Sequence, residues 1–105
     1  MSDYIQVMTT TETKEEAQKI ARALVEKRLA GCVQVLGPIA STYWWQDQVE
    51  SAEEWLCFIK SSRQLYLELE TAITEVHPYD TPEIIATPIV TGSRGYLSWL
   101  ADELK

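Results

Sequence analysis

Apolar residues in the first third of the chain recur at the spacing of a single helical face. Thr13 and Glu16, which precede this stripe, have the spacing of a capping box, in which each side chain bonds the other residue's backbone N–H. Gly31 follows it, where the end of a helix favours a left-handed residue. The pattern therefore predicts a helix that begins after Thr13 and ends before Gly31. The stripe consists of Ala17, Ile20, Ala21, Leu24, Val25 and Leu29.

Four stretches have the apolar, β-branched and aromatic composition of strands. They cover residues 4–8, 32–45, 49–61 and 83–90. Pro38 interrupts the second stretch, and because proline cannot donate to a strand ladder we expect a bulge or a bend there. Residues 46–48 predict the turn of a hairpin that joins the second and third stretches.

Two more helices complete the predicted elements. One has Ser62 as a candidate N-cap and runs to about Glu75, before Pro78. The other is C-terminal and places Tyr96, Trp99, Leu100 and Leu104 on one face. The element order β-α-β-β-α-β plus a terminal helix predicts an α+β, ferredoxin-like fold in a single domain over residues 1–105.

The central hairpin is longer than a small domain needs. Its arms exceed the usual 5–6 residues of a strand, and Tyr43, Trp44 and Trp45 place large aromatic side chains on both faces. Because an exposed aromatic hairpin favours aggregation, this pattern predicts a closed homo-oligomer. The alternative is that the terminal helix covers the aromatic residues through Trp99.

The net charge of the chain indicates which classes of partner it can bind. The 105 residues include 16 Asp and Glu against 9 Lys and Arg, for a net charge of −7. This balance argues against nucleic acid as a partner and is compatible with the binding of cations; the alternative is that the acidic surface serves solubility alone. The N-terminus lacks the basic and apolar regions of an export signal, and no apolar run approaches the ~20 residues of a membrane span. We expect a cytoplasmic protein without a membrane span.

His77 is the only histidine, and it precedes two carboxylates in a proline-stiffened loop. His77, Asp80 and Glu83 are candidate metal ligands, because one imidazole and two carboxylates can bind a divalent cation. The same residues could instead form a general acid–base with an orienting carboxylate. A third interpretation is a histidine that contacts the last carbonyls of a helix.

The remaining chemistry-bearing residues favour structural roles. Cys32 and Cys57 lie within apolar runs and resemble buried hydrophobic residues more than ligands of a soft metal. Lys60 ends the central strand, where it either reaches solvent or meets Glu83 or an anionic ligand. Acidic pairs such as Glu53-Glu54 look like solvated faces. None of these residues forms a recognised catalytic motif.

The chain resembles the CutA family of divalent-cation-tolerance proteins over essentially its whole length. The matching motifs are Ala30-Gly-Cys-Val33, Ser41-x-Tyr43-x-Trp45, Ile59-Lys-Ser61, His77-Pro-Tyr-Asp-Thr-Pro-Glu-Ile-Ile85, Pro88-Ile, Gly92 and Tyr96-Leu-Ser-Trp99. The resemblance implies a ferredoxin-like subunit and a homotrimer whose long hairpins form intersubunit sheets. In the family's bacterial copper-binding pattern, a Cys precedes Thr in the first strand and a His-His pair precedes Pro-Tyr. Here those positions hold Met8 and Val76, and only His77 matches.

The resemblance also implies an intersubunit cleft, lined by Tyr43, Trp45, Lys60, His77, Tyr79 and Glu83. The leading hypothesis is a non-enzymatic homotrimer that binds divalent metal ions, Cu(II) first among them, requires no cofactor and contributes to cation tolerance. The alternative is a trimeric sensor or adaptor similar to the PII signalling proteins, with a small anionic ligand in the cleft. An enzyme that uses His77 as a base is a third hypothesis, without an identified nucleophile or substrate.

Overall fold

The computed structural model describes residues 3–105. Its strands and helices follow the predicted order, with a short 3₁₀ helix at Arg63–Leu65 before the second α-helix. The elements are β1 Tyr4–Thr11, α1 Lys14–Glu26, β2 Cys32–Trp45, β3 Gln48–Ser62, α2 Tyr66–Val76, β4 Ile85–Pro88 and α3 Arg94–Glu103.

The four strands form one antiparallel sheet in the order β2-β3-β1-β4. The central strand β1 pairs with β3 on one side, with Val7 opposite Ile59, and with β4 on the other. α1 and α2 contribute buried side chains to the same core as β1 and β3. The α+β, ferredoxin-like prediction is therefore confirmed. The core residues are Ile5, Val7, Ala17, Ile20, Leu24, Leu29, Ala30, Cys57, Ile59, Leu69, Ala72 and Ile73.

The two ends of α1 test the predicted caps. The Thr13 hydroxyl accepts from the Glu16 backbone N–H at 3.1 Å, and the Glu16 carboxylate accepts from the Thr13 N–H at 3.2 Å, which confirms the capping box. The prediction for Gly31 was wrong, because Arg28, with φ of 58°, takes the left-handed conformation after the helix. Gly31 is instead needed for space: a Cβ added there would lie 2.5 Å from the Leu100 side chain. α3 approaches the backbone closely at this point.

The predicted interruption and turn of the hairpin are both present. The β2–β3 register shifts between Leu36 and Ile39, which is the bulge expected at Pro38. Gln46 and Asp47 connect the strands with φ of 50° and 63°. Positive φ at both central residues is the geometry of a tight two-residue hairpin turn.

The hairpin extends beyond the rest of the sheet. The β1–β3 pairing ends at Thr11 and Trp55, so residues 39–54 pair only within the hairpin. We call residues 39–54 the hairpin arm. Trp44 in this arm is 74% exposed. The alternative in which the terminal helix covers these aromatics was wrong, because Trp99 instead packs beside Tyr96 and lies near Gly31.

The later helices begin with different caps. Ser62 flanks the 3₁₀ helix and makes no side-chain cap bond, so its predicted role as the N-cap of the second α-helix was wrong. Ser93 does cap α3, since its hydroxyl accepts from the Tyr96 backbone N–H at 3.3 Å. Among the helices within residues 3–105, none is long and apolar enough to cross a membrane.

Candidate functional site

Acidic residues concentrate at the end of the sheet where β1 ends. The start of α1 (residues 12–16), the hairpin arm and the segment from the end of α2 into the following loop (residues 75–83) all lie there. These ranges hold ten of the 16 acidic residues but only one of the nine Lys and Arg, Lys14. We call this the hairpin end. The rest of the chain holds eight basic and six acidic residues, so the chain presents its negative potential mainly at one end.

His77 is buried at the hairpin end, with an exposure of 8%. Its Nδ1 accepts from the Tyr79 backbone N–H at 3.1 Å, which requires this nitrogen to be unprotonated. Its Nε2–H therefore donates to the Thr10 carbonyl oxygen at 2.8 Å. The ring contacts a strand carbonyl rather than the last carbonyls of α2. Both nitrogens are occupied, so His77 joins α2 to β1 and does not present a free lone pair.

Tyr79, which the sequence predicted only as a lining residue of the cleft, makes two contacts that fix the loop. Its ring packs against the His77 ring with centroids 4.8 Å apart, and its hydroxyl donates to a carboxylate oxygen of Glu54 at 2.8 Å. Burial, the Glu54 hydrogen bond and the charges of Glu54, Glu12 and Glu16 raise the pKa of the Tyr79 phenol well above its usual range. The phenol therefore stays protonated and acts as a donor.

Glu54 corrects the interpretation of Glu53-Glu54 as a solvated pair. Glu53 is exposed, but Glu54 is only 8% exposed and bonds to Tyr79. Successive side chains of a strand point to opposite faces, and this alternation is the signal that could have separated the two glutamates. Glu54 lies opposite Ile39, the first pair of the hairpin arm beyond the bulge.

Asp80 and Glu83, the other candidate metal ligands, are exposed in the loop between α2 and β4. Within residues 3–105, no group of three or more His, Cys, Asp and Glu side chains is placed to hold a metal ion. One chain therefore does not bring Asp80 and Glu83 together with His77 as a ready ligand set. The two carboxylates share the loop that His77 and Tyr79 anchor.

The predicted cleft residues separate into two groups within one chain. His77, Tyr79 and Glu83 lie in or beside the loop at the hairpin end, whereas Tyr43 and Trp45 are exposed on the arm. The sixth residue, Lys60, lies between β1 and β2 in the sheet, opposite Gln6 and Cys32. Its ammonium donates to the Gln34 side-chain oxygen at 2.8 Å. It makes no ion pair with Glu83 in the described part of the chain.

The two cysteines do not converge on a common site. Cys57 is fully buried, and its thiol lies 3.7 Å from the Ala17 carbonyl oxygen in the core. Lys60 is three positions from Cys57 on β3, so the two side chains point to opposite faces of the sheet. Cys32 lies opposite Lys60 and therefore shares the face of Lys60, away from Cys57. Burial raises the pKa of the Cys57 thiol to about 11. It is a protonated core residue at neutral pH, as its apolar sequence context indicated.

Comparisons with known proteins find related sequences over nearly the whole chain. Residues 5–103 match the family model described as CutA1 divalent ion tolerance protein. The chain is 41% identical over 96 residues to the divalent-cation tolerance protein CutA of Thermus thermophilus, covering 91% of this chain and 93% of that protein. It is 40% identical to the longer CutA homologue of Danio rerio, of which the matched region covers 64%.

A solved structure extends the agreement to the fold. The crystal structure of CutA from Xylella fastidiosa superposes with a TM-score of 0.96 at 35% identity, covering 99% of this chain and all of that one. The sequence matches and the fold thus agree over nearly every described residue. This chain belongs to the CutA family of divalent ion tolerance proteins.

Proposed function

We propose that this protein is a non-enzymatic homotrimer that binds divalent cations, Cu(II) among them, at its hairpin end. The observation that carries the proposal is the charge separation: ten acidic residues and a single Lys lie at that end. Such a region raises the local concentration of cations and repels anions. Membership of a divalent ion tolerance family agrees with this polarity.

The exposed carboxylates of the loop are proposed to be the first groups that bind the cation. Asp80 and Glu83 are solvent-accessible, and carboxylate oxygens are the ligands that hard divalent cations prefer. Imidazole suits copper, but His77 must release Thr10 or Tyr79 before a nitrogen can coordinate. The ligand set of His77, Asp80 and Glu83 therefore remains a prediction, in which the two carboxylates bind first.

The homotrimer is proposed from the exposed hairpin arm together with the family resemblance. Tyr43, Trp44, Trp45 and Val49 expose large apolar surfaces on the part of the arm beyond Glu54, which receives no strand pairing from the rest of residues 3–105. Exposed apolar surface of this kind marks an interaction site. Three copies also triple the net charge of −7, which strengthens the attraction for cations. The predicted intersubunit cleft belongs to this assembly.

A binding role is better supported than a catalytic one. The two side chains best suited to base or nucleophile chemistry have other roles: His77 bonds through both nitrogens, and the Cys57 thiol is protonated in the core. The PII-like alternative is less well supported, because the hairpin turn contains only Gln46 and Asp47 and the nearby field is negative. The cytoplasmic location remains a prediction.

Titration of the metal-free protein with Cu(II) and with Mn(II), followed by calorimetry, tests the cation proposal. The double variant Asp80→Asn/Glu83→Gln is expected to bind about 30-fold more weakly, because each of the two exposed charges near a bound cation contributes on the order of 1 kcal/mol. Asp102→Asn is the matched control, an exposed aspartate on α3 away from the hairpin end. Its affinity is expected to equal that of the wild type.

Two results would contradict the cation proposal. One is the absence of binding to the wild type at millimolar metal. The other is an equal loss of affinity in Asp102→Asn, which would indicate a general charge effect without a site at the hairpin end.

A further inference from the structure

The loop after α2 is fixed to two different parts of the sheet. At its start, the His77 ring donates to Thr10 near the end of β1. Two residues later, the Tyr79 hydroxyl donates to Glu54 on β3. The two side chains also touch, and the Tyr79 backbone N–H bonds to His77. These contacts form one continuous chain from β1 through the loop to β3.

The β3 end of this chain of contacts is at the root of the hairpin arm. Glu54 is the first β3 residue without a β1 partner, and it lies opposite Ile39 directly after the register shift. Within residues 3–105 of one chain, the arm beyond this point is a two-stranded ribbon without a third strand beside it. A contact at the root of the arm therefore affects the direction in which the whole arm points.

Glu54 depends on Tyr79 within this chain. It is 8% exposed, and it makes no ion pair with a Lys or Arg of residues 3–105. A buried carboxylate without a hydrogen-bond donor is costly, whereas a hydrogen bond to an ionised acceptor is stronger than one between neutral groups. Without the Tyr79 hydroxyl, the Glu54 carboxylate would need a water molecule as its donor. The strand pair Ile39–Glu54 would have to move to admit that water.

We propose that the Tyr79–Glu54 hydrogen bond is a latch that couples the loop of residues 77–84 to the hairpin arm. With the latch closed, the loop that carries Asp80 and Glu83 and the arm that carries the exposed aromatics hold a fixed relation. Opening it frees both segments together. The latch thus links the proposed cation-binding loop to the proposed assembly surface, although the coupling itself does not depend on any cation.

Hydrogen exchange followed by mass spectrometry, on metal-free protein in chelator, measures this coupling. Tyr79→Phe keeps the ring against His77 and removes only the hydroxyl. We expect amide exchange to accelerate about tenfold in both the loop and the arm. Tyr66→Phe is the matched control, because the Tyr66 hydroxyl also donates to a glutamate, Glu70, at 2.8 Å, but within α2. Its effect is expected to stay within α2.

The reciprocal variant tests the latch from the other side. Glu54→Ala is expected to accelerate exchange in the loop, because coupling between two segments acts in both directions. Glu53→Ala, which changes the exposed neighbour, is expected to leave the loop unchanged. The proposal is overturned if Tyr79→Phe affects the loop alone, or if Glu54→Ala leaves loop exchange at the wild-type rate. Failure of wild-type metal binding would refute the proposed function and leave this coupling intact.

Discussion

The body of the sheet and the hairpin arm are built from the same two strands but differ in what covers them. In the body, α1 and α2 cover one face, and Ile59 on β3 is fully buried. In the arm, the same strand exposes 59% of Val49, and its partner strand exposes Trp44. The arm has fewer apolar residues than the body, but its apolar residues include the large aromatic side chains of the hairpin. The difference shows that an apolar strand is buried only where another element reaches it, and it is the reason a partner outside the chain is proposed for the arm.

The largest expected effect comes from making the arm unfit for any partner. Trp44→Glu/Trp45→Glu is expected to reduce the proposed homotrimer to a single 12.0 kDa chain, because charges cannot be buried in an apolar interface without compensation. Size-exclusion chromatography with light scattering measures the mass. Leu67→Glu, an exposed position on α2, is the control and should retain the wild-type mass. A wild type that runs as a monomer at micromolar concentration would contradict the assumed role of the arm.

A smaller effect separates buried from exposed leucines within the body. Leu69 on α2 is fully buried, whereas Leu67 on the same helix is 76% exposed. Leu69→Ala is expected to lower the free energy of unfolding by about 2–5 kcal/mol, and Leu67→Ala by less than about 0.5 kcal/mol. Denaturant unfolding at one fixed protein concentration measures both. Equal losses would mean that Leu67 is covered by a contact outside the single chain, so that the body and the arm would no longer differ in this respect.

The smallest effect is a pH dependence that belongs to the body alone. Burial raises the pKa of Cys57 from 9.0 to about 11, so the folded state holds a proton that the unfolded chain releases earlier. This contribution is fully present below pH 9 and is lost as the pH rises towards 11. We expect the free energy of unfolding to fall by about 2 kcal/mol more in the wild type than in Cys57→Ala over this range. Parallel curves for the two proteins would show that the thiol is not desolvated.

Local patterns predicted the elements of the body well, because each is specified by residues close in sequence. The capping box at Thr13 and Glu16 needs only residues three apart, and the apolar stripe of α1 needs only the helical period. The bulge near Pro38 follows from the chemistry of one residue. Gly31 was misjudged because its requirement comes from Leu100, 69 positions later in the chain.

The candidate site was less predictable, since its contacts are distant in sequence. His77 was identified as a reactive candidate from its ionisable side chain, but its partner Thr10 lies 67 positions away. Glu54 is separated from Tyr79 by 25 positions, and strand alternation places Glu53 and Glu54 on opposite faces without showing which of them meets Tyr79. Spacing places Asp80 and Glu83 beside His77 in the loop, but it does not determine whether their side chains converge.

The sequence by itself determined the order of strands and helices, the excess of acidic residues and the apolar length of the hairpin, because composition and short-range periodicity encode these properties directly. The tertiary structure decided which of them act together. The antiparallel fold brings the start of α1, the end of α2 and the hairpin arm together at the hairpin end of the sheet. Acidic residues that are far apart in the sequence are therefore concentrated there. The fold also places the His77 ring within hydrogen-bond distance of Thr10 and the buried Glu54 carboxylate within hydrogen-bond distance of Tyr79. Neither contact follows from the sequence, because hydrogen bonding depends on distance in space.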